Sequence, residues 1–162
     1  MAEAARTPQV AAFWQAFRQA AGVATDTFEV VMFDDSPETA SELAALVQAG
    51  RKRATAALAA SFRPGGEPPP ELGGYVVLVD GTGQPTCIWR TTDLRRGPLH
   101  SVDDAFAWDE GEGDRSRAYW LRVHHEFFGR EAKRLDIVFY DGIETVFERF
   151  TVVWPPEAAD PT

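Results

Sequence analysis

The spacing of apolar and polar residues divides the first third of the chain into two helices and a strand. Apolar side chains recur every three or four positions over residues 10–21, which predicts an amphipathic helix that ends at Gly22. Residues 27–33 are rich in β-branched and aromatic types and therefore predict a short strand. A second helix is predicted to begin after Ser36, a good N-cap followed by proline, and to end before Gly50.

The rest of the chain has more strand patterns than helical ones. Residues 61–74 are rich in proline and glycine, which predicts a surface loop. The segment 103–114 is polar and acidic. Residues 75–79 and 86–92 are predicted to form a hairpin, and a helix is predicted from about residue 116. Two final strands are predicted at 136–140 and 145–153.

Strands that are interrupted by helices without regular alternation indicate an α+β fold. We expect a small β-barrel or curled sheet of about five to six strands, flanked by helices. The chain, residues 1–162, is interpreted as a single domain with its core at 10–153 and a frayed tail at 155–162.

Charge and cysteine content narrow the classes of function. The net charge of −9 weighs against nonspecific binding to duplex nucleic acid, which requires many basic side chains against phosphates. A few basic residues can still hold one nucleotide or one short single strand. The lone Cys87 has no partner for a disulfide, and its strand setting predicts a buried, inert thiol. No apolar run is long enough to span a bilayer, so we expect a cytoplasmic protein.

Three blocks of sequence, in order, resemble the ASCH domain family. The first is residues 35–56, which contains the Gly-basic-Lys-x-x-Thr turn as Gly50-Arg51-Lys52-Arg53-Ala54-Thr55. The second is Pro85-x-Cys87-Ile-x-Arg90-Thr91-Thr92, and the third begins Glu110-Gly111-Glu112-Gly113-Asp114-Arg115-Ser116 and continues to His124. The resemblance extends over roughly residues 10–153.

This resemblance implies a PUA-like β-barrel, a fold associated with recognition of RNA and modified nucleobases, and it implies no cofactor. Some family members are amidohydrolases that deacetylate acetylated cytidine, and their active residues match Lys52, Thr55 and Glu110. Other members are ribonucleases that cut single-stranded RNA. They use a lysine that matches Lys52 and a serine for which Ser116 is the counterpart.

The chemistry of these side chains is consistent with amide hydrolysis. A lysine that loses solvent can become neutral and accept the proton of a nearby hydroxyl, which would make Thr55 the nucleophile and Lys52 its base. Glu110 would protonate the leaving amine if burial or the neighbouring carboxylates, such as Glu112, keep it protonated. The alternative interpretation of residues 109–114 is a solvated acidic loop.

RNA cleavage would use the same lysine differently. Lys52 would stabilise charge on the phosphate while Ser116 or Glu110 transferred a proton; alternatively, Ser116 only caps its helix. Tyr119 would stack on a base or, alternatively, pack in the core. The candidate substrate-binding residues are three arginines and one tyrosine: Arg51, Arg53, Arg115 and Tyr119.

The pair His124-His125 does not predict a metal site, because adjacent residues on a helix point about 100° apart. The sequence therefore predicts an RNA- or nucleotide-associated hydrolase without a metal or cofactor, with single-stranded RNA as the preferred substrate. Deacetylation of acetylated cytidine is the first alternative, and a noncatalytic module that binds RNA or a modified nucleobase is the second.

Overall fold

The computed structural model describes residues 2–33 and 36–162, so the first residue of the block 35–56 lies outside the described residues. Within these ranges the chain forms six strands and four α-helices. The strands are β1 (Ala2–Glu3), β2 (Glu29–Met32), β3 (Ala54–Leu58), β4 (Tyr75–Val79), β5 (Pro85–Pro98) and β6 (Glu144–Trp154). The helices are α1 (Pro8–Ala21), α2 (Pro37–Gln48), α3 (Asp104–Glu110) and α4 (Arg117–Arg134).

All six strands belong to one sheet in the order β1-β2-β4-β5-β6-β3. Neighbouring strands are antiparallel except for β2 and β4, which are parallel. The long β5 pairs with β4 through its first half and with β6 along most of its length, and its register with β6 shifts at Ile88/Trp89 and at Thr91/Asp93. Such irregularities bend a strand, and the sheet curls into a half-barrel. The predicted α+β class is confirmed.

Helices α1, α2 and α4 lie where the sequence predicts them. Ser36 caps α2 by accepting a hydrogen bond from the Thr39 amide. Helix α1 ends at Gly22, which has the left-handed conformation. Trp14 and Phe17 of α1 are buried in a cluster with Val77 and Ile88 of the sheet, while Trp120 and Phe128 of α4 are buried with Phe147 on another face. None of the helices within the described ranges is both long and apolar enough to cross a membrane.

Three features differ from the sequence prediction. Residues 136–140 do not form a strand: the chain leaves α4 through Asp136, at a φ of 55°, and Val138 is 81% exposed without a strand partner. The acidic segment contains the short helix α3, which Asp103 caps by accepting from the Phe106 amide. The tail was expected to fray, yet Asp160 accepts hydrogen bonds from Arg53 and from the Val152 amide.

Candidate functional site

The turn between α2 and β3 places Lys52 and Thr55. Gly50 adopts a φ of 81° after α2, and the Lys52 amide donates to the Leu46 carbonyl, which closes the turn. The next amide, that of Arg53, donates to the carbonyl of Asp109 at 2.7 Å and ties the turn to α3. Thr55 is the second residue of β3 and is buried. The Gly-basic-Lys-x-x-Thr motif is therefore a turn that joins a helix to an interior strand.

The end of α3 places Glu110 against the same turn. Gly111 follows at a φ of 74°, and a Cβ at this position would lie 2.4 Å from the carbonyl oxygen of Arg51. The Arg51 side chain also donates to the carbonyl of Gly111 at 2.7 Å. Only glycine allows so close an approach in this conformation. The reversal at Gly111 brings both Glu110 and Glu112 to Lys52.

Lys52 lies between these two carboxylates at the centre of the site. Its side chain is 1% exposed, and its Nζ donates to Glu110 Oε2 at 2.5 Å and to Glu112 Oε2 at 3.0 Å. It also donates to the carbonyl of Glu110 at 3.3 Å. The aromatic ring of Phe33 lies 5.3 Å from Nζ and shields it from solvent. The ammonium group is thus held by two carboxyl groups in an interior position.

These contacts contradict the expected neutral lysine. Burial by itself lowers the pKa of Lys52, but the attraction of Glu110 and Glu112 outweighs burial and raises the pKa above its ordinary value. Lys52 is therefore a cation at neutral pH and does not serve as the base for Thr55. Burial also works against ionisation of Glu112, but the adjacent Lys52 lowers the pKa of that carboxyl to about 2. Lys52 and Glu112 form the ionised pair of the site.

Glu110 has the opposite protonation behaviour. Its side chain is 1% exposed. Burial raises the pKa of Glu110 to about 8, because it and the nearby charge of Glu112 outweigh the attraction of Lys52. The carboxyl group therefore carries a proton at neutral pH. Departure of an amine would require such a protonated acid, and that role for Glu110 stays a prediction.

His124 is a member of the site that the sequence did not reveal. It lies on α4 with its ring stacked on Trp120 at 3.7 Å between centroids, and its Nδ1 is 2.8 Å from the Trp120 carbonyl. A carbonyl only accepts, so Nδ1 carries the proton and Nε2 is the bare nitrogen. Nε2 lies 3.6 Å from Glu110 Oε1. Burial lowers the pKa of His124 to about 4, so the ring is neutral.

A cavity of about 540 Å³ opens onto this group, and its size is within the usual range for small-molecule sites. Its lining includes Lys52, Thr55, Glu110 and His124. The turn at 52–55 and the segment 110–124, which are far apart in the sequence, therefore line the same cavity. Its wall also contains the predicted Tyr119. The other lining side chains are mainly apolar or acidic: Phe33, Leu43, Leu46, Val123, Phe127, Glu42, Glu112 and Glu126, with Arg130 as a further cation.

The three arginines predicted to bind substrate do not line the cavity, and each has a structural partner. Arg51 donates to the carbonyls of Gly111 and Gly113. Arg53 forms an ion pair with Asp160 at 2.8 Å. Arg115 donates to the Trp108 carbonyl, with its guanidinium 4.0 Å from the centre of the indole ring. These contacts hold the loops on either side of Lys52 together.

Ser116 is the N-cap of α4. Its hydroxyl accepts from the Tyr119 amide at 3.0 Å, and its own amide donates to Asp114. It does not line the cavity of Lys52 and Glu110. Of the four predicted catalytic residues, the structure therefore brings together Lys52, Thr55 and Glu110 and leaves Ser116 as a helix cap.

Potential metal ligands also meet in the site. Atoms of Glu110, Glu112 and His124 lie within 4.8 Å of one another. Lys52 Nζ, however, already contacts both carboxylates, so an added metal ion would face a buried positive charge at close range. His125 points away, with Nε2 3.8 Å from Asp141. The Lys52 ammonium group thus occupies the position between Glu110 and Glu112 that a metal ion would need.

Comparisons with known proteins agree with this architecture. The family model of the ASCH domain matches residues 29–154. The structure of an ASCH domain from Lactobacillus crispatus JV V101 has a TM-score of 0.79 and 31% identity, and the match covers 87% of this chain and 91% of that one. A protein from Enterococcus faecalis V583 has a TM-score of 0.80 and 34% identity, with 88% and 86% covered. A comparison with curated proteins finds no match.

Proposed function

The chain belongs to the ASCH domain family, and from this premise we propose that it is a hydrolase that removes the acyl group from an acylated nucleoside such as acetylated cytidine. The observation that carries the proposal is the convergence of Lys52, Thr55 and Glu110 on one cavity, with Glu110 protonated. The sequence alone favoured cleavage of single-stranded RNA. The geometry favours the amide, because Ser116 and the three arginines lie outside the cavity.

The charge of the cavity also favours a nucleoside over an RNA strand. Two exposed carboxylates, Glu42 and Glu126, lie on its wall with one exposed cation, Arg130, whereas the buried cluster around Lys52 is neutral. The two exposed carboxylates would repel a chain of phosphates, whereas an uncharged nucleoside meets no such repulsion. The apolar and aromatic wall offers Tyr119 and Phe127 to a base. These features support a small, uncharged substrate.

In the proposed reaction the Thr55 hydroxyl attacks the acyl carbonyl and the Lys52 ammonium stabilises the negative charge on its oxygen. The proton of the hydroxyl enters the Glu110–Glu112 carboxyl pair, and the proton that Glu110 already holds passes to the departing amine. The pair thus gains one proton and loses one while the C–N bond breaks. Water then attacks the acyl-threonine ester, returns a proton to Thr55, and releases the carboxylic acid.

The test is to incubate purified protein with acetylated cytidine near pH 7 and to separate cytidine and acetate by chromatography. We expect turnover by the wild type and at least about a hundredfold loss in Thr55→Val and in Glu110→Gln. Thr86→Val is the matched control, because Thr86 is a half-buried strand threonine whose hydroxyl donates to the Leu78 carbonyl away from the cavity. Turnover that survives in Thr55→Val would refute the assigned nucleophile.

The same proteins should be incubated with a single-stranded RNA oligonucleotide. Cleavage by the wild type that is lost in Ser116→Ala, without release of acetate from acetylated cytidine, would refute the amidohydrolase and favour the ribonuclease. Folding of Ser116→Ala must be checked, because loss of a helix cap costs about 1 kcal/mol. If neither substrate changes but cytidine or acetylated cytidine binds saturably, the protein is a noncatalytic binding module.

A further inference from the structure

Glu110 Oε1 is a buried oxygen that has no hydrogen-bond partner within the part of the chain that the structure describes. The other oxygen of this carboxyl group, Oε2, accepts the short contact from Lys52. Buried polar atoms are rarely left unpaired, so this atom requires an explanation. The atom that faces it is Nε2 of His124, 3.6 Å away.

The tautomer of His124 explains why the two atoms face each other. Because Nδ1–H donates to the Trp120 carbonyl, Nε2 presents a lone pair towards Oε1. Two lone pairs at this distance would repel each other, and neither atom could donate. A proton on Oε1 removes the conflict, since the acid O–H then points at Nε2 and a closure of about half an ångström gives a normal hydrogen bond.

The position of Lys52 favours the same location for the proton. In a carboxylic acid the carbonyl oxygen is the better acceptor, and the hydroxyl oxygen carries the donor. With the proton on Oε1, Oε2 is the carbonyl oxygen and accepts from Nζ at 2.5 Å. The carboxyl group of Glu110 also hydrogen-bonds that of Glu112, but a proton placed on Oε2 for this contact would share its oxygen with the ammonium group.

We propose that His124 is a positioning residue of this site: its neutral ring accepts the acid proton of Glu110 and holds it on Oε1 until the amine departs. This rests on the proposed function for the identity of the amine, but the contact itself exists without substrate. The neighbours of the ring fit this role. Trp120 fixes the ring by stacking and by accepting Nδ1–H, and Phe128 packs edge-on against it at 5.4 Å between centroids.

Charged groups around His124 restrict what can titrate near it. From the other elements it faces Lys52, Glu110 and Glu112. Lys52 has a raised pKa, Glu112 has a pKa of about 2, and the ring itself has a pKa of about 4. Near pH 8, therefore, loss of the Glu110 proton is the titration expected to change the environment of Nε2.

The direct test is nuclear magnetic resonance of protein labelled with ¹⁵N-histidine, in which His124→Gln assigns the signals. We expect the proton on Nδ1, a bare Nε2, and one step in the Nε2 resonance near pH 8. The step should vanish in Glu110→Ala and persist in Glu126→Gln, whose carboxyl lies on the exposed part of the cavity wall. A proton on Nε2, or an Nε2 resonance that stays flat across this pH range, would overturn the proposal.

A second readout uses catalysis. His124→Phe keeps an aromatic ring on Trp120 but removes the acceptor, whereas His124→Gln keeps an acceptor near the position of Nε2. We expect His124→Phe to lower kcat about tenfold or more with KM little changed, and to shift the alkaline limb of the kcat profile to lower pH. His124→Gln should retain more activity. A folded His124→Phe with wild-type kcat and an unchanged pH profile would overturn the proposal.

The two readouts separate this inference from the proposed function. If the Nε2 step is present but acetylated cytidine is not hydrolysed, the contact stands and the reaction assigned to the site is wrong. If the enzyme hydrolyses acetylated cytidine while Nε2 stays flat, the reaction stands and the role of His124 is refuted.

Discussion

Replacement of Glu110 by Gln should change how the stability of the protein depends on pH. Glu110 has a pKa of about 8 in the folded protein and an ordinary value of 4.5 when the chain is unfolded. Between these values the folded state holds a proton that the unfolded state releases. The free energy of unfolding therefore falls as pH rises through this interval, by about 1.4 kcal/mol per pH unit. Gln cannot ionise, so the free energy of unfolding of Glu110→Gln should not fall in this way as pH rises.

A second titration restricts the useful pH range. The pKa of His124 is lowered from 6.5 to about 4, so the unfolded state binds more protons than the folded state in that interval and stability rises with pH. Above about pH 6.5 this contribution is complete, and from there to pH 8 Glu110 provides the difference between the two proteins. Over about 1.5 pH units the wild type should lose about 2 kcal/mol relative to Glu110→Gln.

The assay is urea unfolding of both proteins at closely spaced pH values, followed by tryptophan fluorescence. The two groups coupled to Glu110 titrate outside this range, Glu112 below pH 4.5 and Lys52 above pH 10.5. Groups away from the site are present in both proteins, so their contributions cancel in the difference. Glu126→Gln is the matched control, since it removes an exposed carboxyl from the wall of the same cavity. A difference between wild type and Glu110→Gln that stays constant within about 0.5 kcal/mol from pH 6.5 to 8 would show that folded Glu110 is ionised throughout.

Three further predictions concern the supports of the site. Gly111→Ala should lower the free energy of unfolding by more than about 2 kcal/mol, because the added Cβ would clash with the Arg51 carbonyl at a position of positive φ. The control Gly129→Ala adds a Cβ in open space on a helix and should be neutral or stabilising by up to about 1 kcal/mol. Equal effects of the two substitutions in urea titration would contradict this prediction. Asp160→Ala should release the tail, seen as faster proteolysis after residue 154 and a loss of about 1 kcal/mol, whereas an unchanged cleavage rate would refute the anchoring role. Burial raises the pKa of the Cys87 thiol to about 11, so at pH 8 a thiol reagent should modify Cys87 in the urea-unfolded protein and not in the folded protein. Rapid modification of the folded protein would contradict this burial.

Local signals explain which parts of the fold were predictable. The caps of α2 and α4 and the spacing of apolar residues in α1 depend on neighbours within a few residues, and all are present in the structure. The error at 136–140 has the same origin: a run of β-branched and aromatic residues resembles a strand, but a strand also requires a sheet edge with which to pair. Helix α3 was missed because its seven residues bury few side chains, and too short a pattern gives no clear period.

Only those residues of the candidate site that belong to a family motif could be predicted from the sequence. Lys52, Thr55 and Glu110 came from resemblance, and Lys52 and Glu110 are 58 residues apart in the chain. Their protonation states were not predictable in full. Desolvation alone lowers the pKa of Lys52, and only the approach of Glu110 and Glu112 reverses that direction. His124 ends the third block of the resemblance, but its place in the site was not predictable, because it depends on the helix face that meets α3 after folding.

The burial that makes Glu110 an acid also makes it a source of instability. A cluster with one ammonium, one carboxylate and one protonated carboxyl group is neutral, whereas loss of the Glu110 proton leaves an unbalanced negative charge in the interior. The folded protein therefore retains this proton, and in the proposed reaction a bound amide would accept it while the Thr55 hydroxyl provides another. It follows that Glu110→Gln should gain stability relative to the wild type as pH rises, while it loses the proposed activity. Such opposite effects on stability and activity are expected of an acid in a catalytic site, and they would not arise if Glu110 served only to hold Lys52 in place.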